Sequence, residues 1–220
     1  LACHVQGRFH AKNNRMPKFS GNNKLETPMF DYMKVANAPS TFMQERIKLD
    51  KRLPAAIKFI KDNRLNEFFP GDLSEIGIIT QGGLYNSVIR ALQHYGLADN
   101  DGNSRIPIYS LTVTYPLVDS EIVEFAVGKK NILVVEEGHP DYIEQAIHTA
   151  LRKADVQTKV HGKGPLPMGG QYNADVVQNG IAKWLAEVKP AGVDMDRAQA
   201  RPDVIGSIKG KAIGYLGAPV

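Results

Sequence analysis

The sequence Asn131-Ile132-Leu133-Val134-Val135-Glu136 is the clearest β-strand in this chain. Four consecutive apolar residues, three of them β-branched, suit a pleated and buried surface. Gly128 precedes the run and Gly138 follows it, so turn-forming residues bound it on both sides. A continuous apolar run of this length is typical of a strand that is buried on both faces of a parallel sheet.

Helices and further strands alternate on both sides of this strand. Pro140 opens a helix after it, because apolar residues such as Ile143 and Ile147 follow with helical spacing. The other predicted strands cover residues 74–80, 106–113 and 156–161. Two of the other predicted helices cover residues 53–63 and 84–95. A third begins at a cap, Asp119 or Ser120, and reaches about Val127, and a fourth begins at Asn173 or Ala174 and reaches about Val188. This alternation predicts an α/β fold in which helices cover both faces of a mostly parallel sheet.

The two ends of the chain carry little periodic signal. Prolines punctuate residues 1–50, yet large apolar residues are scattered there, and a disordered linker is normally poorer in aromatics. We therefore expect an extended arm over 1–52 that rests on another surface, an α/β domain over 53–190, and a linker over 191–220 toward a further domain. The missing initial methionine favours a fragment or an excised domain, although processing also removes a start residue.

Composition narrows the possible functions. The single cysteine, Cys3, cannot form an intramolecular disulfide, an iron–sulfur cluster or a structural zinc site, and this fits a reducing, cytoplasmic compartment. No run approaches the roughly 20 apolar residues of a transmembrane helix, so we expect no membrane partner. The net charge is +4, and for the basic cluster in the first arm we favour contact with a neighbouring domain over nucleic acid. That cluster is Lys12, Arg15, Lys18 and Lys24.

Two segments that follow predicted strands are candidates for a binding or interface contact, because ligands of open α/β sheets bind at the carboxyl ends of strands. In the first, Gln81, Gly82 and Gly83 form either a tight turn or a contact for an anion or a partner. In the second, Glu137 and His139 lie beside Glu136. These groups could perform acid–base chemistry, but we favour capping of the following helix or an interface role.

The loop from Gly162 to Tyr172 is a third candidate. It contains Lys163, and a catalytic lysine is possible there, but a structural or docking loop is the favoured interpretation. The dinucleotide fingerprint, the P-loop and the G-x-S-x-G nucleophile elbow are all absent from the sequence. The histidines are not grouped with carboxylates at metal-ligand spacing, so we expect no metal ligand set, whereas a Ser/His/Asp arrangement, which forms only in space, stays open at this point.

Several phrases, taken in their order and spacing, resemble the large, fused indolepyruvate ferredoxin oxidoreductases. The resemblance covers roughly residues 40–190. The phrases that carry it are Leu53 to Asn66, Ile76 to Tyr85, Tyr115-Pro116-Leu117, Val134 to Glu137, Gly138 to Gln145, and Gly162 to Tyr172.

The resemblance implies an α/β/α sandwich of about five strands, one of them antiparallel. This is the transketolase C-terminal-like domain, which lies between two thiamine-binding domains and is used for packing and dimer contacts. Enzymes of this family oxidatively decarboxylate arylpyruvates on thiamine diphosphate with Mg²⁺, pass electrons through 4Fe–4S clusters to ferredoxin, and transfer the acyl group to coenzyme A.

This chain departs from the family pattern in what it lacks. It has no Gly-Asp-Gly motif followed by a distant asparagine, which is the pattern that binds the diphosphate and its metal, and it has no cluster cysteines. No catalytic residue of the family can therefore be placed at a position in this chain, and we expect none here. The leading hypothesis is thus a structural domain of such an oxidoreductase, in a homodimeric parent. The alternatives are the equivalent domain of a transketolase or 2-oxoacid dehydrogenase, and a free-standing ligand-binding or interaction module that uses the Gly82-Gly83 turn.

Overall fold

A five-stranded sheet lies at the centre of the computed structural model, which describes residues 37–194. The strands follow the order β1-β3-β2-β4-β5 across the sheet; β1 is antiparallel to β3, and the other neighbours are parallel. The strands are β1 (Glu67–Phe69), β2 (Ile76–Gln81), β3 (Ile108–Leu111), β4 (Asn131–Val135) and β5 (Lys159–His161).

The strand predicted most clearly, β4, pairs with β2 at the middle of the sheet. Ile78 is opposite Leu133 and Thr80 is opposite Val135 in this parallel pair. Residues 132–135 are all buried, as the continuous apolar run requires. Leu133 and Val135 contribute to one core, and Ile132 and Val134 contribute to the other.

Helices cover both faces of the sheet, and the predicted three-layer α/β/α fold is confirmed. One face is packed by α3 (Tyr85–His94) and α6 (Ala174–Val188), whose core includes the fully buried Trp184. The opposite face is packed by α4 (Asp119–Ala126) and α5 (Tyr142–Lys153). Each layer removes a large apolar surface from water, which is the main favourable contribution to folding.

A continuous helical run over residues 40–62 precedes the sheet. It consists of α1 (Ser40–Ile47), a π-helical segment (Lys48–Arg52) and α2 (Leu53–Asp62). Pro54 has no backbone N–H and its ring crowds the carbonyl four residues earlier, at Asp50, so the wider π-helical turn lies where the α-helical ladder is interrupted. The extended conformation predicted up to residue 52 is therefore wrong over 40–52, which is helical.

Two further local predictions differ from the structure. The residue pattern did not indicate β1, because three residues at a sheet edge are too few to display a period. Neither Asp119 nor Ser120 caps α4: Val118 takes the cap position without a side-chain bond, and Asp119 is the first helical residue. By contrast, the Asn173 side chain accepts the Val176 N–H at 3.0 Å and caps α6.

Other predictions concern residues outside the described range of 37–194. These are most of the first arm with Cys3 and the basic cluster, and the linker beyond residue 194. The proposed domain boundaries at 52/53 and 190/191 remain predictions.

Candidate functional site

A cleft of about 1010 Å³ opens at the carboxyl ends of β2 and β4. The chain passes from β2 to β3 on one side of β2 and then crosses to β4 on the other side, so the loops after these strands diverge. Doubly wound sheets bind their ligands at such a switch point. The cleft has three walls: a face of α2, the loop between β3 and α4, and the loop between β4 and α5.

The structure brings the two predicted strand-end segments together. The Gln81 side-chain oxygen accepts the backbone N–H of Glu137 at 2.9 Å. The Glu137 carboxylate in turn accepts the backbone N–H of Tyr172 at 2.7 Å, so it binds the third predicted segment as well. All three segments therefore meet beyond the carboxyl ends of β2 and β4, which the parallel topology places side by side.

Gly82 and Gly83 form a 3₁₀ turn that leads into α3. A Cβ atom added to Gly82 would lie 3.3 Å from the carbonyl oxygen of Leu111, at the end of β3. The turn thus packs against the neighbouring strand end and forms no open cradle for a phosphate at Gly82. This geometry favours the tight-turn interpretation over the anion-binding one.

Glu136 is buried and caps α5. The strand has ended at Val135, and the Glu136 carboxylate accepts the backbone N–H groups of Ile143 at 2.9 Å and Glu144 at 3.0 Å. A negative charge at a helix N-terminus is favourable because the first N–H groups of the helix have no intrahelical partner. The predicted capping role is confirmed for Glu136, whose carboxylate occupies the position that an anionic ligand would take.

Lys163 joins the long loop to the end of β4. Its ammonium group donates to the carbonyl oxygens of Glu136 at 2.6 Å and Gly138 at 2.8 Å and to the Tyr172 hydroxyl at 3.0 Å. Burial lowers the pKa of Lys163, although nearby carboxylates, Glu136 first among them, act in the opposite direction. Burial and the same carboxylates raise the pKa of Tyr172 to about 12. These contacts support the structural interpretation of the loop.

Two further contacts fix the loop over Gly162–Tyr172. The Glu144 carboxylate accepts the backbone N–H of Lys163 at 2.9 Å, and a Cβ at Gly162 would lie 2.1 Å from that carboxylate. Leu166 is buried against α6, where a Cβ at Gly180 would come within 2.2 Å of its side chain. The two glycines therefore provide the space in which the loop docks.

The wall formed by the loop between β3 and α4 depends on a buried polar network. The Asn66 side-chain oxygen accepts the Val113 N–H at 3.0 Å, and its amide donates to the Tyr109 hydroxyl at 3.0 Å. That hydroxyl donates to Glu121 at 2.7 Å. Burial, with Glu121 next, raises the pKa of Tyr109 above its usual range, so the phenol stays protonated as a donor.

The rim of the cleft is aromatic and its third wall is helical. Tyr115 and Tyr142 are 71% and 69% exposed, and the exposed His139 lies on the same rim. Leu53, Ile57 and Lys61, spaced four residues apart on α2, line the helical wall. The sequence showed an amphipathic helix here, but nothing in its pattern indicated that one helical face borders a cleft.

Glu136 and Glu137, two of the carboxylates that line the cleft, are held in separate contacts with the surrounding backbone. In the described part of the chain, no three His, Cys, Asp or Glu side chains come together as they would around a metal ion. Glu136 accepts a hydrogen bond from the Ile143 N–H, at the start of α5, whereas Glu137 accepts one from the Tyr172 N–H in the loop over Gly162–Tyr172. Between residues 37 and 194, no helix has both the length and the apolar character needed to cross a membrane.

Comparison with known proteins finds relatives among the subunits of indolepyruvate oxidoreductase. IorA, a subunit of indolepyruvate oxidoreductase from Methanothermobacter thermautotrophicus, is 35% identical over 124 residues, which is 55% of this chain and 19% of that protein. IorA from Methanothermobacter marburgensis is 28% identical over 207 residues, or 92% of this chain and 31% of that protein. The chain thus spans less than a third of the length of these curated relatives.

A solved structure also resembles this chain, at a TM-score of 0.45 and 14% identity. It is the 2-oxoglutarate:ferredoxin oxidoreductase from Magnetococcus marinus with 2-oxoglutarate, coenzyme A and succinyl-CoA bound, and the match covers 67% of this chain and 24% of that one. Residues 67–188, which run from β1 to the end of α6, match the family model of the indolepyruvate oxidoreductase domain. Because this match covers more than half of the chain, the chain belongs to the indolepyruvate oxidoreductase family.

Proposed function

We propose that this chain is a structural, non-catalytic domain of a thiamine diphosphate-dependent 2-oxoacid:ferredoxin oxidoreductase. The parent enzyme would oxidatively decarboxylate arylpyruvates such as indolepyruvate and yield acyl-CoA. Family membership over residues 67–188 supports the class of enzyme. The relatives named as indolepyruvate oxidoreductase subunits support the class of substrate.

The observation that best supports the structural role is that the polar side chains at the strand ends bind other groups of the same domain. Glu136 caps α5, Glu137 binds the Tyr172 N–H, and Lys163 binds two carbonyl oxygens and a phenol. A general acid or base must reach a reacting group of the substrate. These three side chains instead connect β4, α5 and the loop over Gly162–Tyr172, so we infer that their hydrogen bonds stabilise the fold of the domain.

The cofactors of the parent enzyme are assigned to its other domains in this proposal. The residues of this chain do not fit thiamine diphosphate, because the Gly-Asp-Gly motif and its asparagine are absent from the sequence, and Glu136 already fills the anion position at α5. The 4Fe–4S clusters need cysteine ligands, and this chain has only Cys3. Coenzyme A, Mg²⁺ and ferredoxin would likewise interact with the neighbouring thiamine-binding domains or with other parts of a cytoplasmic, homodimeric enzyme.

The alternatives have less support. The matching family model is that of the indolepyruvate oxidoreductase domain, which does not favour a transketolase or a 2-oxoacid dehydrogenase. A free-standing module that binds anions at Gly82 and Gly83 would need an open turn, whereas Gly82 packs against the Leu111 carbonyl.

Calorimetric titration of thiamine diphosphate with Mg²⁺ into the isolated chain tests the non-catalytic role. We expect no binding in the micromolar range, and micromolar affinity would contradict the assignment of the cofactor site to other domains. The second arm uses the complete oxidoreductase polypeptide and follows indolepyruvate- and coenzyme A-dependent reduction of ferredoxin. Variants Glu137→Gln and His139→Gln should retain turnover, whereas a large loss of kcat in a correctly assembled variant would make the domain catalytic.

A further inference from the structure

The first half of the helical run presents large apolar side chains that no described residue covers. Phe42, Met43, Ile47 and Leu49 have exposed fractions between 45% and 59%. Over residues 40–52, which we call the arm helix, Ser40 is the only buried residue among those described. Soluble domains rarely leave such a row of apolar side chains in water unless it is a contact surface.

The cleft has the shape and chemistry to receive an apolar helix. Its volume of about 1010 Å³ is at the upper end of the range for small-molecule pockets, and a face of α2 forms one of its walls. Apolar groups line its walls, among them Leu53, Ile57 and the exposed rings of Tyr115 and Tyr142. An amphipathic helix that lays its apolar face in a hydrophobic groove is a recurrent mode of recognition.

The charges of the two surfaces are opposite. The arm helix carries four Lys or Arg and two Asp or Glu, a net charge of +2. One of its two carboxylates, Asp50, pairs with Arg46 of the same helix. The charged residues that line the cleft are one cation, Lys61, and three carboxylates, Asp119, Glu136 and Glu137. A basic helix and an acidic groove are electrostatically complementary.

The arm helix cannot enter the cleft of its own chain. The backbone keeps helical dihedral angles through the π-helical segment and into α2, so the arm helix and α2 are consecutive parts of one rod. Because Leu53, Ile57 and Lys61 of that rod already form a wall of the cleft, the arm helix extends away from it. Among the described residues, the arm helix is therefore not available to its own cleft, whereas a second copy of the chain carries both complementary surfaces and can supply the occupant.

We propose that the arm helix of one copy docks in the cleft of a second copy, and that the exchange is reciprocal. Such a contact is isologous: the arm helix of each chain meets the cleft of the other, and the assembly closes as a two-fold dimer. The inference goes beyond the proposed function, since it names the surfaces and requires no cofactor or reaction.

The oligomeric state of the full 220-residue chain tests this dimer. Light scattering after size exclusion should give a dimer at micromolar concentration that weakens between about 50 mM and about 500 mM salt, because screening reduces the attraction between the basic arm and the acidic cleft. The arm variant Phe42→Ser/Ile47→Ser and the cleft variant Tyr142→Ala should each weaken association by at least about tenfold. Val127→Ser, which alters an exposed apolar residue after α4, is the matched control.

Mixing experiments identify which surfaces meet. An arm variant and a cleft variant together retain one intact contact per heterodimer, so the mixture should associate more tightly than either variant alone. In a Cys3→Ser background, Phe42→Cys chains mixed with Tyr142→Cys chains should form a disulfide-linked heterodimer, since Tyr142 lies on the cleft rim. Circular dichroism verifies that each variant is folded.

Three results would overturn the proposal. One is a chain that stays monomeric at all concentrations. Another is a dimer that neither the arm variant nor the cleft variant weakens. The third is an arm helix whose apolar residues are required for binding to anionic phospholipid vesicles but not for self-association, which would assign the arm to a lipid surface. Because no cofactor is present in these measurements, their outcome is independent of the thiamine diphosphate titration.

Discussion

The Gln81 side-chain oxygen lies 2.9 Å from the Glu137 backbone nitrogen, so a side chain connects the ends of β2 and β4 after their ladder has ended. Replacing Gln81 with Ala should therefore lower the free energy of unfolding by about 0.5–1.5 kcal/mol, the usual contribution of one hydrogen bond. Urea denaturation measures this change. Gln171→Ala, at an exposed position of the loop over Gly162–Tyr172, is the control and should change stability by less.

The capping carboxylate of Glu136 should contribute more to the free energy of unfolding than the hydrogen bond between Gln81 and Glu137. Glu136→Ala removes the acceptor of two N–H groups at the start of α5, and hydrogen bonds to charged groups contribute about 1.5–3 kcal/mol each. We expect a loss of at least about 2 kcal/mol by chemical denaturation, and a smaller loss for Glu136→Gln, which keeps one acceptor. The exposed Glu124→Gln on α4 serves as the control. Equal effects of the Glu124 and Glu136 replacements would argue against the cap.

Lys163 should respond to both the charge and the shape of its replacement. Lys163→Met leaves three converging acceptors without a donor, and Lys163→Arg brings a planar group that does not match their arrangement. Hydrogen exchange at residues 136–138 and 162–172 should accelerate in both variants, and more strongly for Met. Lys183→Met, on α6, should leave exchange in these segments unchanged. If Lys163→Met also left it unchanged, the loop would be fixed by its other contacts alone.

Gly180→Ala sets two effects against each other. Alanine favours a helix interior over glycine by about 1 kcal/mol, but the new methyl group would lie 2.2 Å from the buried Leu166 side chain. Overpacking of a buried contact costs about 1–3 kcal/mol, so we expect a net loss in thermal stability. The double variant Gly180→Ala/Leu166→Ala should be less destabilised than the sum of the single variants, because the clash is then removed.

Stability should fall at acidic pH because of His161. Burial lowers the pKa of this histidine below its usual 6.5, although the Glu187 carboxylate acts in the opposite direction. The unfolded chain therefore binds the proton more readily: the contribution of His161 is fully present above pH 6.5 and is lost as pH falls through the folded pKa. The slope is at most about 1.4 kcal/mol per pH unit.

Urea denaturation between pH 5 and 8 measures this dependence. His161→Gln should flatten it, whereas His148→Gln, at an exposed position of α5, should not. If His161→Gln, like His148→Gln, left the pH profile of the parent chain unchanged, the pH dependence of stability would have another origin.

Periodicity was enough to predict four of the five strands, but neither β1 nor the contacts at the carboxyl ends of the strands. The run at Ile132–Val135 indicated a buried parallel strand, because every residue in it is apolar and its neighbours are turn formers. The contact between Gln81 and Glu137 depends on strand order, which the pattern of a single sequence does not contain. The cap of α5 was foreseen as an acidic residue before Pro140, since helix N-termini favour negative charge.

The helical run over residues 40–52 is an element that the sequence pattern did not predict. Prolines and scattered apolar residues suggested an extended arm up to residue 52, yet residues 40–52 are helical. Local composition contains no signal for a π-helical segment that accommodates Pro54 within a longer rod. The face of α2 at Leu53, Ile57 and Lys61 was recognisable as apolar in part, but only the tertiary structure places it against the loops after β3 and β4.

The two outer strands have a consequence for how this domain associates. Both β1 and β5 contain three residues, and their backbone groups offer too short a ladder for an added strand from another molecule. Lys159 on β5 also places a charge at one of these borders, which opposes edge-to-edge aggregation. Addition of strands from other molecules at the sheet edges is thereby disfavoured, and concentrated solutions of the domain should resist β-aggregation. Assembly is left to helices, loops and their side chains.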